Sequence, residues 1–249
     1  MRYFIAFSYF GRSYHGWQNQ PNAITVQEVL EDALSKLLRE SIAVVGAGRT
    51  DAGVHAKEMF AHFDFGHKID LQDLVFRINA FLPDDIAVKE IFLVHKEAHA
   101  RFDATERTYE YWITRKKNPF YYDRAHYVRQ MLDIDTMNAA ANLLLEYKDF
   151  ECFSKSNTDV HTYLCDVRKA AWTSEKDKLV FTISADRFLR NMVRAIVGTL
   201  LNVGNGKSNL DDFQRILKSK DRTQAGASVP AKGLYLTKIV YPKTIIKHE

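Results

Sequence analysis

The chain has 249 residues, of which 46% are apolar and 27% are charged, and its 35 basic and 31 acidic residues give a net charge of +4. Such a composition is ordinary for a globular protein with a real core. Two cysteines, Cys152 and Cys165, are too few for a disulfide framework and form no C-x-x-C pair of a zinc site. No apolar run approaches the ~18 residues that would span a membrane.

The N-terminal stretch MRYFIAFSYFGRSYHGW lacks the long apolar region of a signal peptide. Together with the low cysteine content, this predicts a protein of the reducing cytoplasm without a membrane partner. The small positive charge is compatible with an anionic partner only where the basic residues are clustered.

The first half of the chain alternates predicted strands and helices. Residues 3–10 alternate as in a strand, and a possible capping box at Thr25 and Glu28 starts a helix that runs through Arg39. IAVVGAG is predicted to be a short strand, and KEMFAHFDF a strand with Met59, Ala61, Phe63 and Phe65 on one face. A helix near 70–82 ends before Pro83, and IAVKEIFLV is a further strand.

The second half follows the same plan. RTYEYWITR, VRKAAWTSE, KLVFTISA and GLYLTKIVY are predicted strands, and helices are predicted over 135–147, 188–203 and 209–219. This mixture predicts an α+β chain with a largely antiparallel sheet and flanking helices. We place an N-terminal lobe at 1–105 and a C-terminal lobe at 106–249.

Residues 46–56, GAGRTDAGVHA, place three glycines and other small residues around Arg49 and Asp51. A dinucleotide fingerprint starting at Gly46 would need glycine where Asp51 stands, and the Gly-Lys-Ser/Thr of a P-loop is absent. A strand follows, so no helix N-terminus is available for a phosphate. Two interpretations remain open: a turn in which Asp51 bonds nearby backbone amides, or a surface cleared for a ligand.

Residues 186–204, DRFLRNMVRAIVGTLLNVG, are predicted to form a mostly buried helix because apolar residues cover most of its circumference. Arg187, Arg190 and Arg194 lie three and four residues apart and form one polar stripe, which Gly198 continues. These arginines are either solvated at the surface or paired with a carboxylate or phosphate. The second interpretation suits Arg194 best, because it lies deepest in the helix.

Residues 107–129, RTYEYWITRKKNPFYYDRAHYVR, interleave six basic residues with aromatic rings and contain two acidic residues. Basic groups meet phosphates and flat rings stack on unpaired bases, so this pattern favours RNA binding. The alternative is a strand with an aromatic core face and an exposed loop, which explains Lys116 and Lys117 poorly.

The histidines show no metal-binding spacing. His55 and His62 lie an odd number of residues apart, so on one strand they face opposite ways. We expect histidines at the surface or in supporting roles, and no metal site.

Several stretches together resemble the tRNA pseudouridine synthases of the A type, along nearly the whole chain. They are YHGWQNQ (14–20), TVQEVLEDAL (25–34), GRTDAGVHA (48–56), ARFDATERTYEYWI (100–113), FLRNMVRAIVGTLLNVG (188–204) and PAKGLYLTKIVYP (230–242). One departure is QAGASVP (224–230), where the family commonly has proline and threonine after the glycine. We expect this departure to touch no residue with an assigned chemical role.

The resemblance implies conversion of uridine to pseudouridine at positions 38, 39 and 40 of the tRNA anticodon stem-loop. It also implies a two-lobed pseudouridine synthase fold with a central active-site cleft, acting as a homodimer without cofactor or metal. By matched motif, Asp51 is the catalytic aspartate, Tyr109 the ring against the target base, and Arg194 the ion-pair partner of Asp51. Arg49 would fill the space left by a flipped nucleotide. Four further residues are expected to bind the substrate: Lys116, Lys117, Arg187 and Arg190.

The implied chemistry suits these residue types. The N1–C1′ bond breaks, the uracil rotates and C5 rejoins C1′, so no atoms enter or leave. Asp51 could attack C1′, attack the base or remove the 2′ proton, and the sequence does not choose among these. The base must leave its stack to be reached, and the small residues at 46–56 are expected to make room for it.

Two other functions are compatible with part of this pattern. A non-catalytic RNA-binding protein would share the basic, aromatic surface but would not need Asp51. A nucleosidase would use the aspartate and water, and would release free uracil.

Overall fold

The computed structural model describes residues 1–155 and 161–246. The chain forms two compact units, unit 1 comprising Met1–Glu106 with the segment from Tyr235 onward, and unit 2 comprising Arg107–Leu234. The division after residue 106 lies beside the lobe boundary expected at 105/106. The last strand groups with unit 1, whereas the sequence placed it in the second lobe, because it pairs with a strand of unit 1.

The strands of unit 1 form a mostly antiparallel sheet. They are β1 (Arg2–Tyr9), β2 (Val45–Gly46), β3 (His55–Asp64), β4 (Ile86–Val94) and β9 (Leu234–Val240). β1 lies between β3 and β4 and is antiparallel to both, whereas β9 runs parallel to β3 with Tyr235 opposite His55. β2 extends the other end of β3 through antiparallel pairing.

Both faces of this sheet are covered along β1 and the second half of β3. In β1 the neighbouring residues Phe4 and Ile5 are both fully buried, and in β3 Phe60 and Ala61 are both buried. Successive strand residues point to opposite faces, so side chains on both faces of these two predicted strands are buried. Tyr241 contributes to this cover, since its ring lies edge-on to Phe4 with centroids 5.3 Å apart.

Two helices complete unit 1 at nearly the bounds predicted. They are α1 (Val26–Leu38) and α2 (Leu71–Phe81). The Thr25 hydroxyl accepts a hydrogen bond from the Glu28 N–H, and the Asp70 carboxylate accepts one from the Asp73 N–H. These caps satisfy donors that the first turn of a helix leaves unpaired, and the cap at Thr25 is the one that the sequence predicted.

Unit 2 is built on a second set of strands. They are β5 (Glu106–Thr114), β6 (His126–Tyr127), β7 (Val167–Glu175) and β8 (Lys178–Ala185). β8 lies between β5 and β7 and is antiparallel to both, whereas the short β6 is parallel to β5. The antiparallel pairing in both units confirms the predicted α+β class.

The described residues of unit 2 include three α-helices. They are α3 (Ile134–Leu143), α4 (Met192–Gly204) and α5 (Leu210–Ser219). α3 ends earlier than the predicted helix over 135–147, because a 3-10 turn follows it over Leu144–Glu146. None of the helices in the described part of the chain is long and apolar enough to cross a bilayer.

α4 begins at Met192, four residues later than predicted. Asn191 adopts a left-handed backbone with φ of 66°, a conformation that an α-helix cannot contain. Arg187 and Arg190 therefore precede the helix, and the prediction that they share a helical stripe with Arg194 is wrong. The apolar residues that suggested an earlier start, such as the buried Leu189, pack as part of the preceding loop.

Candidate active site

The loop that carries Asp51 is anchored on both sides of that residue within unit 1. Before Asp51, the Thr50 carbonyl accepts a hydrogen bond from the Trp17 N–H at 3.3 Å. The Thr50 hydroxyl lies 2.8 Å from the Tyr9 hydroxyl. After Asp51, the Gly53 N–H donates to the Tyr14 carbonyl at 3.3 Å. The position of Asp51 is thus set by contacts with the end of β1 and with the YHGW stretch.

The glycines near this loop mostly serve its packing. A Cβ on Gly46 would lie 2.5 Å from the Trp17 indole, and a Cβ on Gly16 would lie 2.4 Å from the Thr50 carbonyl oxygen. Gly53 has φ of 76°, which favours glycine. The expectation that the small residues make room for a nucleotide is therefore wrong at Gly46, whose space the Trp17 ring occupies. At Gly48 a Cβ would meet nothing within 4 Å.

The two charged residues of the loop remain accessible. Arg49 is exposed, Asp51 is half-buried and the following Ala52 is exposed. The backbone carbonyl of Asp51 accepts a hydrogen bond from the Val54 N–H at 3.2 Å, which closes the turn into β3. The backbone of Asp51 therefore forms a turn, while the residue as a whole keeps part of its surface accessible.

His55 lies in the core of unit 1, so of the two expected positions, at the surface or in a supporting role, it does not take the first. It is 1% exposed, and its Nδ1 accepts a hydrogen bond from the Gly11 N–H at 2.9 Å. Its ring stacks on Phe10 at 4.3 Å and lies 4.7 Å from the ring of Tyr235 on β9. His55 therefore joins the start of β3 to β9, directly after the Asp51 loop.

His62 is likewise buried, with 5% of its surface exposed. Its Nδ1 accepts a hydrogen bond from the Ala100 N–H at 3.1 Å. Burial, together with the positive charge of Arg2, lowers the pKa of His62 to about 4. In the described ranges, no group of three or more histidine, cysteine, aspartate or glutamate side chains is placed to hold a metal ion.

In unit 2, Tyr109 and Tyr111 lie on the same face of β5 but differ in accessibility. Tyr109 is half-buried, with its ring edge-on to Phe188 at 5.2 Å. Tyr111 is fully buried and donates its hydroxyl to the Pro230 carbonyl at 2.8 Å. Burial raises the pKa of Tyr111. Tyr109 is thus the ring available to a ligand, and Tyr111 is part of the core.

Arg194, on the first turn of α4, is tied to the backbone of the segment that precedes β9. Its Nε donates to the Val229 carbonyl at 2.8 Å, and the Val229 N–H donates to the Arg194 carbonyl at 3.2 Å. Val229 belongs to the departure at 224–230. The expectation that this departure touches no residue with an assigned role is therefore wrong.

The same segment packs directly on Gly198 of α4. A Cβ on Gly198 would lie 1.9 Å from the Ala227 carbonyl oxygen. The Thr199 hydroxyl accepts a hydrogen bond from the Gly226 N–H at 2.9 Å and donates to the Ala195 carbonyl at 2.8 Å. Gly198 permits a close approach, as expected, and the partner is this segment of the chain. The sequence did not predict this contact, because Gly198 and Gly226 lie far apart along the chain.

The loop after β5 presents much of the predicted basic and aromatic pattern to solvent. Lys116 and Lys117 are exposed, and Phe120 and Tyr122 are 81% and 70% exposed. The Lys232 ammonium lies 5.0 Å from the centroid of the Tyr122 ring and donates to the Tyr122 carbonyl at 2.7 Å. Of the other two arginines predicted to bind substrate, Arg187 is half-buried and Arg190 is exposed. Tyr109, Tyr111 and Trp112 of the pattern lie within β5, and the exposed Tyr127 lies in β6.

A family model described as tRNA pseudouridine synthase matches residues 5–103 and 140–242. The chain belongs to the tRNA pseudouridine synthase family. It is 52% identical to the tRNA pseudouridine synthase A of Parabacteroides distasonis, covering 100% of this chain and 99% of that relative. It is 51% identical to that of Bacteroides fragilis, covering 99% and 98%. It is 41% identical to that of a Thermoanaerobacter species, covering 95% and 98%.

The residues assigned to the site are distributed unevenly over the family match. Arg49 and Asp51 lie in its first range and Arg194 lies in its second. Tyr109 and the lysines at 116 and 117 fall between the two ranges. The Asp51 loop and the three assigned arginines at 187, 190 and 194 are therefore the parts of the candidate site that the family model covers.

Proposed function

We propose that the protein isomerises uridine to pseudouridine at positions 38, 39 and 40 of the tRNA anticodon stem-loop, with Asp51 as its catalytic group. The observation that carries the proposal is the Asp51 loop, which lies within the family match and is anchored on both sides while Asp51 stays accessible. A rigid backbone on either side of a carboxylate favours catalysis, because the reacting group is held in place before the substrate binds.

The reaction requires groups that act on the glycosidic bond and the base. The N1–C1′ bond breaks, the uracil turns and a C5–C1′ bond forms, and the proton on C5 is later lost as N1 regains one. Asp51 takes part as nucleophile or base, and Arg194 supplies the positive charge that favours its carboxylate form. No atoms are gained or lost, so the proposal includes no cofactor and no metal.

Two residues are assigned to handling the nucleotide. Tyr109 places its half-buried ring against the target base, and its contact with Phe188 keeps that ring in one orientation. Arg49, which is exposed beside Asp51, fills the space that the base leaves in the stem-loop. Extruding a base costs a few kcal/mol, and both contacts offset part of that cost.

The loop after β5 is assigned to the tRNA backbone and to unpaired bases. Lys116 and Lys117 offer exposed charges to phosphates, and Phe120 and Tyr122 offer exposed rings for stacking. Arg187 and Arg190 are assigned to further phosphates. By resemblance to the family we also propose a cytoplasmic homodimer, and sedimentation velocity on the purified protein measures its oligomeric state.

Incubation with an unmodified tRNA transcript, followed by carbodiimide mapping and mass analysis, tests the function. We expect the protein to leave the mass of the tRNA unchanged, and subsequent carbodiimide treatment of that product to give adducts at positions 38, 39 or 40. Release of free uracil with an abasic site would identify a nucleosidase instead. Tight binding without any modified nucleotide would identify an RNA-binding protein.

A further inference from the structure

An exposed aromatic ring stands beside an exposed arginine in the loop between β4 and β5. Phe102 is 72% exposed, and Arg101 next to it is also exposed. The Arg101 guanidinium carbon lies 5.5 Å from the centroid of the Phe102 ring. The His99 ring contacts the same phenylalanine, with centroids 4.3 Å apart.

This pair is held by hydrogen bonds within the loop. The Asp103 carboxylate accepts from the His99 N–H at 2.7 Å, and the Asp103 N–H donates to the His99 carbonyl at 3.1 Å. The Nδ1 of His99 accepts from the N–H groups of Arg101 and Phe102, at 3.1 and 3.4 Å. The main chain that carries the two exposed side chains is therefore fixed in one conformation.

The loop is also tied to the sheet of unit 1. Arg2 donates to the Ala98 carbonyl at 3.0 Å, and the Ala100 N–H donates to Nδ1 of His62 at 3.1 Å. The Ala100 carbonyl accepts from the Tyr241 hydroxyl at 2.5 Å. Ala98 and Ala100 are buried, whereas the two residues that follow are directed to solvent.

A single exposed phenylalanine is common and needs no explanation. Here, however, hydrogen bonds order the loop that carries the ring and the neighbouring guanidinium. Ordering a loop costs conformational entropy, and a ring that stays exposed gains no burial to offset that cost. A flat ring and a guanidinium side by side match an unpaired base and its phosphate.

We propose that Arg101 and Phe102 form a second RNA contact of this protein, in addition to the loop after β5. Phe102 stacks on an unpaired base of the substrate tRNA, and Arg101 binds an adjacent phosphate. The inference rests on the proposed function, since it takes the substrate to be RNA.

The test compares Phe102→Ala with Phe76→Ala. Phe76 is a matched control because it is 75% exposed in unit 1, on α2. Loss of a base-stacking ring weakens binding roughly tenfold or more, so we expect that loss of affinity for an unmodified tRNA transcript from Phe102→Ala alone. Phe102→Trp keeps the ring face and should stay within about threefold of wild type. Thermal unfolding checks that each variant is folded.

Arg101→Ala provides a second, independent readout. Loss of one phosphate contact should reduce the salt slope of binding by about 0.7 to 0.9. Folded Phe102→Ala and Arg101→Ala variants with wild-type affinity and salt slope would overturn the inference. A changed sedimentation coefficient of Phe102→Ala with unchanged tRNA affinity would also overturn it, because the ring would then contact a second protein copy. The proposed function fails separately, if the wild-type protein forms no pseudouridine.

Discussion

At the scale of single residues, a substitution of Asp51 tests the proposed catalysis separately from tRNA binding. We expect Asp51→Asn to abolish pseudouridine formation, because no other residue in the proposal supplies the carboxylate. Affinity for tRNA should change little, since most of it comes from phosphate contacts elsewhere. Single-turnover assays and filter binding on the same preparation measure both quantities. A variant that keeps one-tenth of the wild-type rate would remove Asp51 from the catalytic role.

The buried His62 predicts a pH dependence of stability. Its pKa of about 4 lies below the ordinary 6.5, because burial and Arg2 disfavour the charged form. The contribution of neutral His62 to the free energy of unfolding is complete above about pH 6.5 and is lost as the pH falls towards 4. As the pH falls, His62 is protonated in the unfolded chain at a higher pH than in the folded chain, which favours unfolding. We expect wild type to lose about 2 kcal/mol more than His62→Gln between pH 7.5 and pH 5. Urea unfolding at both pH values measures this difference, and equal losses would contradict it.

At the scale of elements, the end of β1 positions the Asp51 loop through one hydroxyl contact. Tyr9→Phe removes the contact with Thr50 and should lower stability by about 1 kcal/mol. It should also lower kcat severalfold with little change in KM, because the residue before Asp51 loses an anchor. Steady-state kinetics and urea unfolding measure these effects.

Tyr3→Phe is the matched control for that variant. Tyr3 lies on the same strand, is similarly buried, and its hydroxyl donates to the His67 carbonyl at 3.1 Å, away from the loop. It should lose similar stability and keep its kcat. If both variants lose the same fraction of kcat, Tyr9 has no special role in positioning the loop.

The contact between α4 and the segment before β9 gives a second prediction at this scale. Gly198→Ala places a methyl group against the Ala227 carbonyl oxygen, so we expect a loss of about 1–3 kcal/mol in stability. Activity should also fall, because the displaced segment holds Arg194 through Val229. Gly66→Ala is the control, since a Cβ there meets nothing within 4 Å. Denaturant midpoints and turnover measure the effect, and a Gly198→Ala protein as stable as this control would refute the close packing.

At the scale of the whole molecule, substrate affinity is expected to depend on where charge lies rather than on net charge. The logarithm of the tRNA binding constant falls linearly with the logarithm of the salt concentration, and each neutralised phosphate contributes about 0.7 to 0.9 to the magnitude of that slope. The double variant Lys116→Ala/Lys117→Ala should therefore reduce the magnitude of the slope by about 1.5. Lys207→Ala/Lys218→Ala removes the same charge from exposed positions around α5 and should leave the slope nearly unchanged. Equal slopes for the two double variants would place the loop after β5 away from the RNA.

Much of the fold was predictable because its signals are local. Thr25 and Asp70 cap α1 and α2, and apolar periodicity marks the strands. One local signal was overlooked, since Asn209 and Asp212 form a reciprocal capping box at the start of α5. The left-handed Asn191 was not predictable, because the apolar pattern continues across it.

For the candidate site, the sequence proposes residues but does not predict their packing. The motif GRTDAGVHA led to the proposal of Asp51, yet nothing in it indicates that Tyr9 would hold Thr50 or that Trp17 would fill the space beside Gly46. These partners are separated by tens of residues, and only the sheet brings them together. The role of Val229 in holding Arg194 was missed for the same reason.

The pairing of β9 with β3 affects the order in which the two units can fold during synthesis. Unit 2 is continuous in the chain, whereas unit 1 is split and needs the residues from Tyr235 onward. A ribosome adds about 5–20 residues per second, so β3 waits of the order of ten seconds for its parallel neighbour after the rest of unit 1 has emerged. During that interval His55 has no Tyr235 ring beside it, and the strand following the Asp51 loop lacks part of its final support. The nascent chain thus completes its second unit before its first, and the loop that carries Asp51, the proposed catalytic aspartate, is among the last parts to gain its full support.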